Sequence, residues 1–66
     1  MQLVINGEPR AVAHATTVEH LLAELGLDAR AVVVELNRVI IRRPALASTP
    51  LAEGDSVEIV HFVGGG

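Results

Sequence analysis

Gly54-Asp55-Ser56-Val57-Glu58-Ile59-Val60-His61-Phe62-Val63-Gly64-Gly65-Gly66 is the stretch on which the fold turns. Glu53-Gly54-Asp55 reads as a turn into a strand over residues 56–63, and the apolar run 57–63 suits the middle of a sheet rather than its edge. Three glycines follow that strand directly. With no Cβ they can enter a slot too narrow for any other backbone, and extended they reach roughly 10 Å at about 3.3–3.6 Å per residue. Taken alone, such a tail reads equally as a frayed end.

Working outward, Met1, Leu3 and Ile5 alternate with Gln2, Val4 and Asn6, which is strand period. Asn6-Gly7 is a hairpin signal, since a type I′ turn needs positive φ at both positions. The second strand is expected to run through about Ala13, with Pro9 at its start or edge. The period then changes. Thr16-x-x-Glu19 reads as a capping box, and Val18, Leu21, Leu22 and Leu25 fall on one helical face. Gly26 stands at the C-cap with Leu27 placed to pack back, giving a helix of about nine residues. The β-branched run 31–36 is expected to be a strand buried on most of both faces. Asn37-Arg38 turns the chain into Val39-Ile40-Ile41, which Pro44 ends. Residues 45–52 read as a short 3₁₀ segment or a loop.

The order is therefore β-β-α-β-β-β, one helix against one sheet. The first strand, otherwise lacking a second neighbour, belongs beside the last. That is an α+β fold, the ubiquitin-like β-grasp: a mixed five-stranded sheet with one main helix packed on one face. Residues 1–66 read as a single domain, with a flexible tail at residues 64–66.

Composition narrows the function. A 66-residue chain holds one small core and buries only about 60% of its unfolded surface. Without cysteine it has neither disulfides nor thiolate metal sites. His14, His20 and His61 stand at no metal-ligand spacing, so no metal is assigned. No apolar run approaches a membrane span and the first residues lack the form of a signal peptide, so a cytoplasmic protein is expected. Net charge is −3, and residues 30–45 concentrate Arg30, Arg38, Arg42 and Arg43 against Glu35 alone. A mildly acidic chain argues against nucleic acid as main partner. The arginine group reads as a solvated face or as a dock for a phosphate or an acidic partner. Every basic residue is arginine, so no side-chain amine is present to capture an activated acyl group.

With that element order and that tail, the chain resembles the ThiS family, the sulfur carrier proteins of thiamin biosynthesis. The likeness spans the whole length. It includes Thr17-Val18-x-x-Leu21-Leu22 and the region from Val33 through Asn37 to Ile40-Ile41, and is strongest over residues 54–66. The small subunit of molybdopterin synthase is a relative by fold. It is usually longer and carries a proline pair before its Gly-Gly, where this chain has His61-Phe62.

The resemblance implies a carrier that performs no catalysis and binds no cofactor itself. The Gly66 carboxylate is implied to be adenylated by an E1-like activating enzyme (ThiF), which brings ATP, magnesium and usually zinc. Sulfur from a donor such as a cysteine desulfurase then makes a Gly66 thiocarboxylate, and thiazole synthase (ThiG) takes that sulfur. Gly64 and Gly65 are the part that enters the partner's active site. The chemistry stands without the family. A carboxylate with a pKa near 3.3–3.7 is an anion and a poor electrophile at neutral pH. An acyl adenylate gives it a leaving group that a sulfur nucleophile displaces.

Partner recognition is assigned to Val60, His61, Phe62 and Val63. If Val57 and Ile59 face the core, Val60 and Phe62 face away from the helix, as a docking patch or beneath covering loops. His61 orients the tail, contacts a partner, or is a half-buried strand histidine without a chemical role. Competing readings are a carrier for molybdopterin or tRNA thiolation, a ubiquitin-like modifier, and a non-covalent binding module.

Overall fold

The computed structural model describes residues 1–13 and 15–62. Its strands are β1 (Gln2–Ile5), β2 (Glu8–Ala11), β3 (Val32–Leu36), β4 (Val39–Ile41) and β5 (Ser56–His61). The helix α1 (Val18–Glu24) lies between β2 and β3, and 3₁₀ turns occupy Ala29–Ala31 and Arg43–Ser48. The sheet order is β2-β1-β5-β3-β4. β1 and β5 run parallel while the other pairs are antiparallel. The last strand thus sits at the centre, between two hairpins, as the apolar run 57–63 indicates.

Each hairpin is closed by local chemistry. Asn6 and Gly7 take φ of 51° and 83°, and Asn37 and Arg38 take 50° and 71°, the paired positive values of type I′ turns. Glycine meets this demand at the first turn, but Arg38 carries a Cβ into the left-handed region. Arg38→Gly is therefore expected to stabilise the domain by about 0.5–1 kcal/mol, raising Tm by about 2–8 °C. A thermal melt that shows no rise contradicts the strain at this turn. Pro9 opposes Val4 on β2, an edge strand, where its missing N–H breaks no ladder.

The helix is shorter than its apolar stripe suggests, and its cap lies one residue later. Thr17, in extended backbone, accepts the His20 N–H at 3.2 Å, while Thr16 Oγ1 meets His20 Nδ1 at 2.7 Å. Glu19 sits in the first turn, where its charge favours the helix dipole, without closing a box on Thr16. At the other end Gly26 (φ 73°) donates to Ala23 O at 3.1 Å and Leu27 to Leu22 O at 2.8 Å, which is a Schellman ending.

Val18, Leu21 and Leu22 of α1 meet Leu3, Ile5, Val32, Val34, Val57 and Ile59 of the sheet, and Leu46 and Leu51 close the side. Only this face of the sheet is covered by the helix. Consequently β3 is not buried on both faces: Val32 and Val34 are buried, but Val33 is 42% exposed and Glu35 partly so. β-branching favours strands irrespective of face, so the continuous run concealed an ordinary alternation. β2 also ends earlier than expected, at Ala11.

Candidate functional site

The end of β5 is where the residues assigned from the sequence can be tested for placement. Strand alternation buries Val57 and Ile59 against the helix layer and turns Glu58, Val60 and Phe62 to the uncovered face. Val60 is 58% exposed and Phe62 45%, so among the described residues no loop covers them. Val33 lies directly opposite Val60 in the β3–β5 register, and Ile40 of β4 is also exposed. These four make one apolar patch on the open face, beside the exit of the strand. The Phe62 N–H donates to Ala31 O at 3.1 Å, which holds the last described residue against the sheet.

Val33 and Ile40 were missed in the sequence as patch residues. The signal was present all the same, since a single helix covers only one face of a sheet. Below the patch the face turns acidic, with Glu35 directly opposite Glu58. Like charges so placed repel, which limits how apolar and how self-associating the face is.

His61 belongs to the other side of the sheet. It is exposed rather than half-buried, and lines a shallow depression of about 190 Å³ with Ile5, Asn6, Arg10, Leu25, Leu27 and Ile59. Val63, Gly64, Gly65 and Gly66, assigned from sequence to recognition and to the tail, lie outside the described residues, as does His14.

The strand that leads to the tail is fixed by two asparagines. Asn37 Oδ1 accepts the Ser56 N–H at 3.0 Å, and its Nδ2 donates to Asp55 Oδ1 at 3.1 Å. Asp55 Oδ2 in turn accepts the Ala52 N–H at 2.8 Å, so Asp55 serves the turn before β5. Asn6 holds the far half: its Oδ1 accepts the Ile59 N–H at 2.8 Å and its Nδ2 donates to Ile59 O at 3.2 Å. The hairpin reading of Asn6 gave no sign of this second task.

The arginine group divides. Arg30, Arg42 and Arg43 line a groove of about 430 Å³ that includes Val33, Ile40 and Phe62. Arg38 is apart, in the β3–β4 turn. Arg30 is tied to Asp28 through Nε at 3.2 Å and Nη2 at 3.1 Å. These hydrogen bonds hold the Asp28 carboxyl below its usual range and raise the Arg30 guanidinium. Among the described residues no group of three or more metal-ligating side chains is gathered, and no helix is long and apolar enough to cross a membrane.

The central strand β5 thus leaves the sheet beside an apolar patch, and Val63 and Gly64-Gly65-Gly66 follow it in the sequence. The model of the ThiS family matches residues 3–66. The chain belongs to the ThiS family. The crystal structure of the thiamine biosynthesis protein ThiS from Geobacter metallireducens superposes with a TM-score of 0.85 at 40% identity, over the whole of both chains. This places the domain among ubiquitin-like β-grasp folds. The sulfur carrier protein ThiS of Thermus thermophilus is 36% identical over 62 residues, covering 94% of this chain and 95% of that one. A thiazole synthase of Paramagnetospirillum magneticum is 50% identical over 66 residues, all of this chain but 20% of that protein. This ThiS-family chain thus spans a fifth of the length of that relative.

Proposed function

We propose that this chain is a sulfur carrier for thiazole formation in thiamin biosynthesis, a co-substrate rather than a catalyst. The single observation that carries the reading is the placement of β5: a central strand, anchored on both sides, which Gly64-Gly65-Gly66 closely follow in the sequence. Family membership over residues 3–66 and the match inside a thiazole synthase support the thiazole branch.

In this reading a Gly66 carboxylate oxygen attacks the α-phosphorus of ATP in an E1-like partner, and pyrophosphate leaves. ATP and magnesium belong to that partner. The terminal sulfur of a persulfide, loaded by a cysteine desulfurase, adds to the acyl carbon and AMP departs with the electron pair. A thiol then cleaves the S–S bond of the resulting acyl disulfide and is itself oxidised to a disulfide. The product is a Gly66 thiocarboxylate, soft and nucleophilic, with no Cβ to obstruct its approach to thiazole synthase. Gly64 and Gly65 occupy the narrow approach to the partner's site.

Intact mass before and after incubation with activating enzyme, ATP and a sulfur source tests the reading, with fragmentation to place the change. Localisation is essential, because exchanging oxygen for sulfur gives the same nominal shift as oxidising Met1. Sulfur on Gly66 is the expected result; an unmodified Gly66 overturns it.

Val60, Phe62, Val33 and Ile40 are the docking patch in this reading, with Val63 next in the sequence. Aromatic anchors dominate such interfaces. Phe62→Ser is expected to raise the KM for carrier in the adenylation assay about tenfold or more while leaving Tm within about 3 °C. Equal loading of variant and parent would remove Phe62 from the interface.

A further inference from the structure

The extended backbone of β4 continues through Arg42, which has φ −74° and ψ 153°. Ile41 pairs with Val34, so the register carried one step further sets Arg42 level with Val33, on the same open face as Ile40. Arg43 follows at the start of the 3₁₀ turn Arg43–Ser48. Both arginines are exposed, and both line the groove of about 430 Å³ beside Val33, Ile40 and Phe62. Among the described residues no acidic side chain lines that groove. Among them, too, Arg30 is tied to Asp28, but neither the Arg42 nor the Arg43 side chain has an ion-pair or hydrogen-bond partner. On a chain of net charge −3, two unpaired cations thus border three exposed apolar side chains.

We propose that this groove receives an acidic side chain, Asp or Glu, of thiazole synthase, with apolar neighbours of that side chain lying on Val33, Ile40 and Phe62. A carboxylate is the match for arginine, which donates to it through two parallel N–H bonds. A free phosphate meets the guanidinium groups but leaves the phenyl ring and the aliphatic floor in water, whereas a protein segment covers both. The rest of the face sets the orientation. Glu35 and Glu58, opposite one another on the same face, repel an acidic segment and direct its charge to the Arg42 end. Thiazole synthase is favoured as the occupant because, in that of Paramagnetospirillum magneticum, a counterpart of this whole chain makes up a fifth of one polypeptide. Joining two modules in one chain turns their encounter into an intramolecular one. The inference rests on the carrier reading above and names the chemistry by which the sulfur acceptor grips the carrier.

The absence of lysine makes a direct test possible. Arg42→Lys and Arg43→Lys each keep the positive charge and introduce the only side-chain amine of the chain. Zero-length carbodiimide coupling joins an amine to a carboxylate it touches, and peptide mapping reads which two residues are joined. Mixed with the cognate thiazole synthase, the amine at position 42 or 43 is expected to couple to an Asp or Glu of that enzyme. Arg38→Lys, apart in the β3–β4 turn, is expected not to couple. Arg42→Gln combined with Arg43→Gln is expected to raise the Kd for thiazole synthase about tenfold at low salt and to flatten its salt dependence, with unchanged Tm. If the parent is loaded and delivers sulfur, but positions 42 and 43 couple no more than position 38, the groove is overturned and the carrier function stands. A double variant that binds as the parent does has the same meaning. If the parent is never loaded with sulfur, the carrier reading fails and this inference fails with it.

Discussion

Deleting Gly66 is expected to reduce adenylation and sulfur loading to background, a loss of about a thousandfold or more, without unfolding the domain. The shortened chain still ends in a glycine carboxylate, the same chemical group as the parent's. What changes is reach. One residue withdraws the carboxylate by about 3.3–3.6 Å, and a reacting oxygen must lie within about 3–3.5 Å of its target. Misplacement by 1 Å already costs about a hundredfold, and β5 cannot slide to compensate. It is held by the β3 register, by Asn37 at Ser56 and by Asn6 at Ile59. ATP–pyrophosphate exchange reads the loss and circular dichroism reads the fold. A variant that still exchanges, or one that has unfolded, contradicts the account.

The largest expected effect on stability is at Leu21. Its side chain is completely buried at the contact between α1 and the sheet. Replacement by alanine removes the packing and leaves a cavity, costing about 3 kcal/mol. A chain of this size has about 3–10 kcal/mol in all. At about 4–8 °C per kcal/mol, Tm should fall by about 12–24 °C. A fall of only a few degrees would mean that the helix layer collapses onto the sheet more readily than this packing implies.

The fold was legible largely because its decisions are local or one-dimensional. Asn6-Gly7 and Asn37-Arg38 name their own turn, Gly26-Leu27 names the end of the helix, and the apolar run from Val57 names a strand with neighbours on both sides. Errors arose where two residues satisfy the same local rule. Thr16 and Thr17 both qualify as caps, and the choice of Thr17 coincides with a tertiary tie: Val18 donates to Thr49 O and Leu51 to Thr16 O. Val33 was misread because β-branched residues look alike on either face. The two hydrogen bonds between the Asn6 side chain and the Ile59 backbone join residues 53 apart, so no short pattern contains them.

The strand at the middle of the sheet is also the last of the five described strands in chain order, and a ribosome must finish residues 56–61 before the hairpins at either edge have anything to flank. An early stop or a proteolytic nick ahead of β5 therefore loses the sheet's centre. Such fragments lack the strand on which both hairpins pair, so they have no complete sheet to present to a partner. Integrity of the message is checked by the architecture itself, before any partner is met.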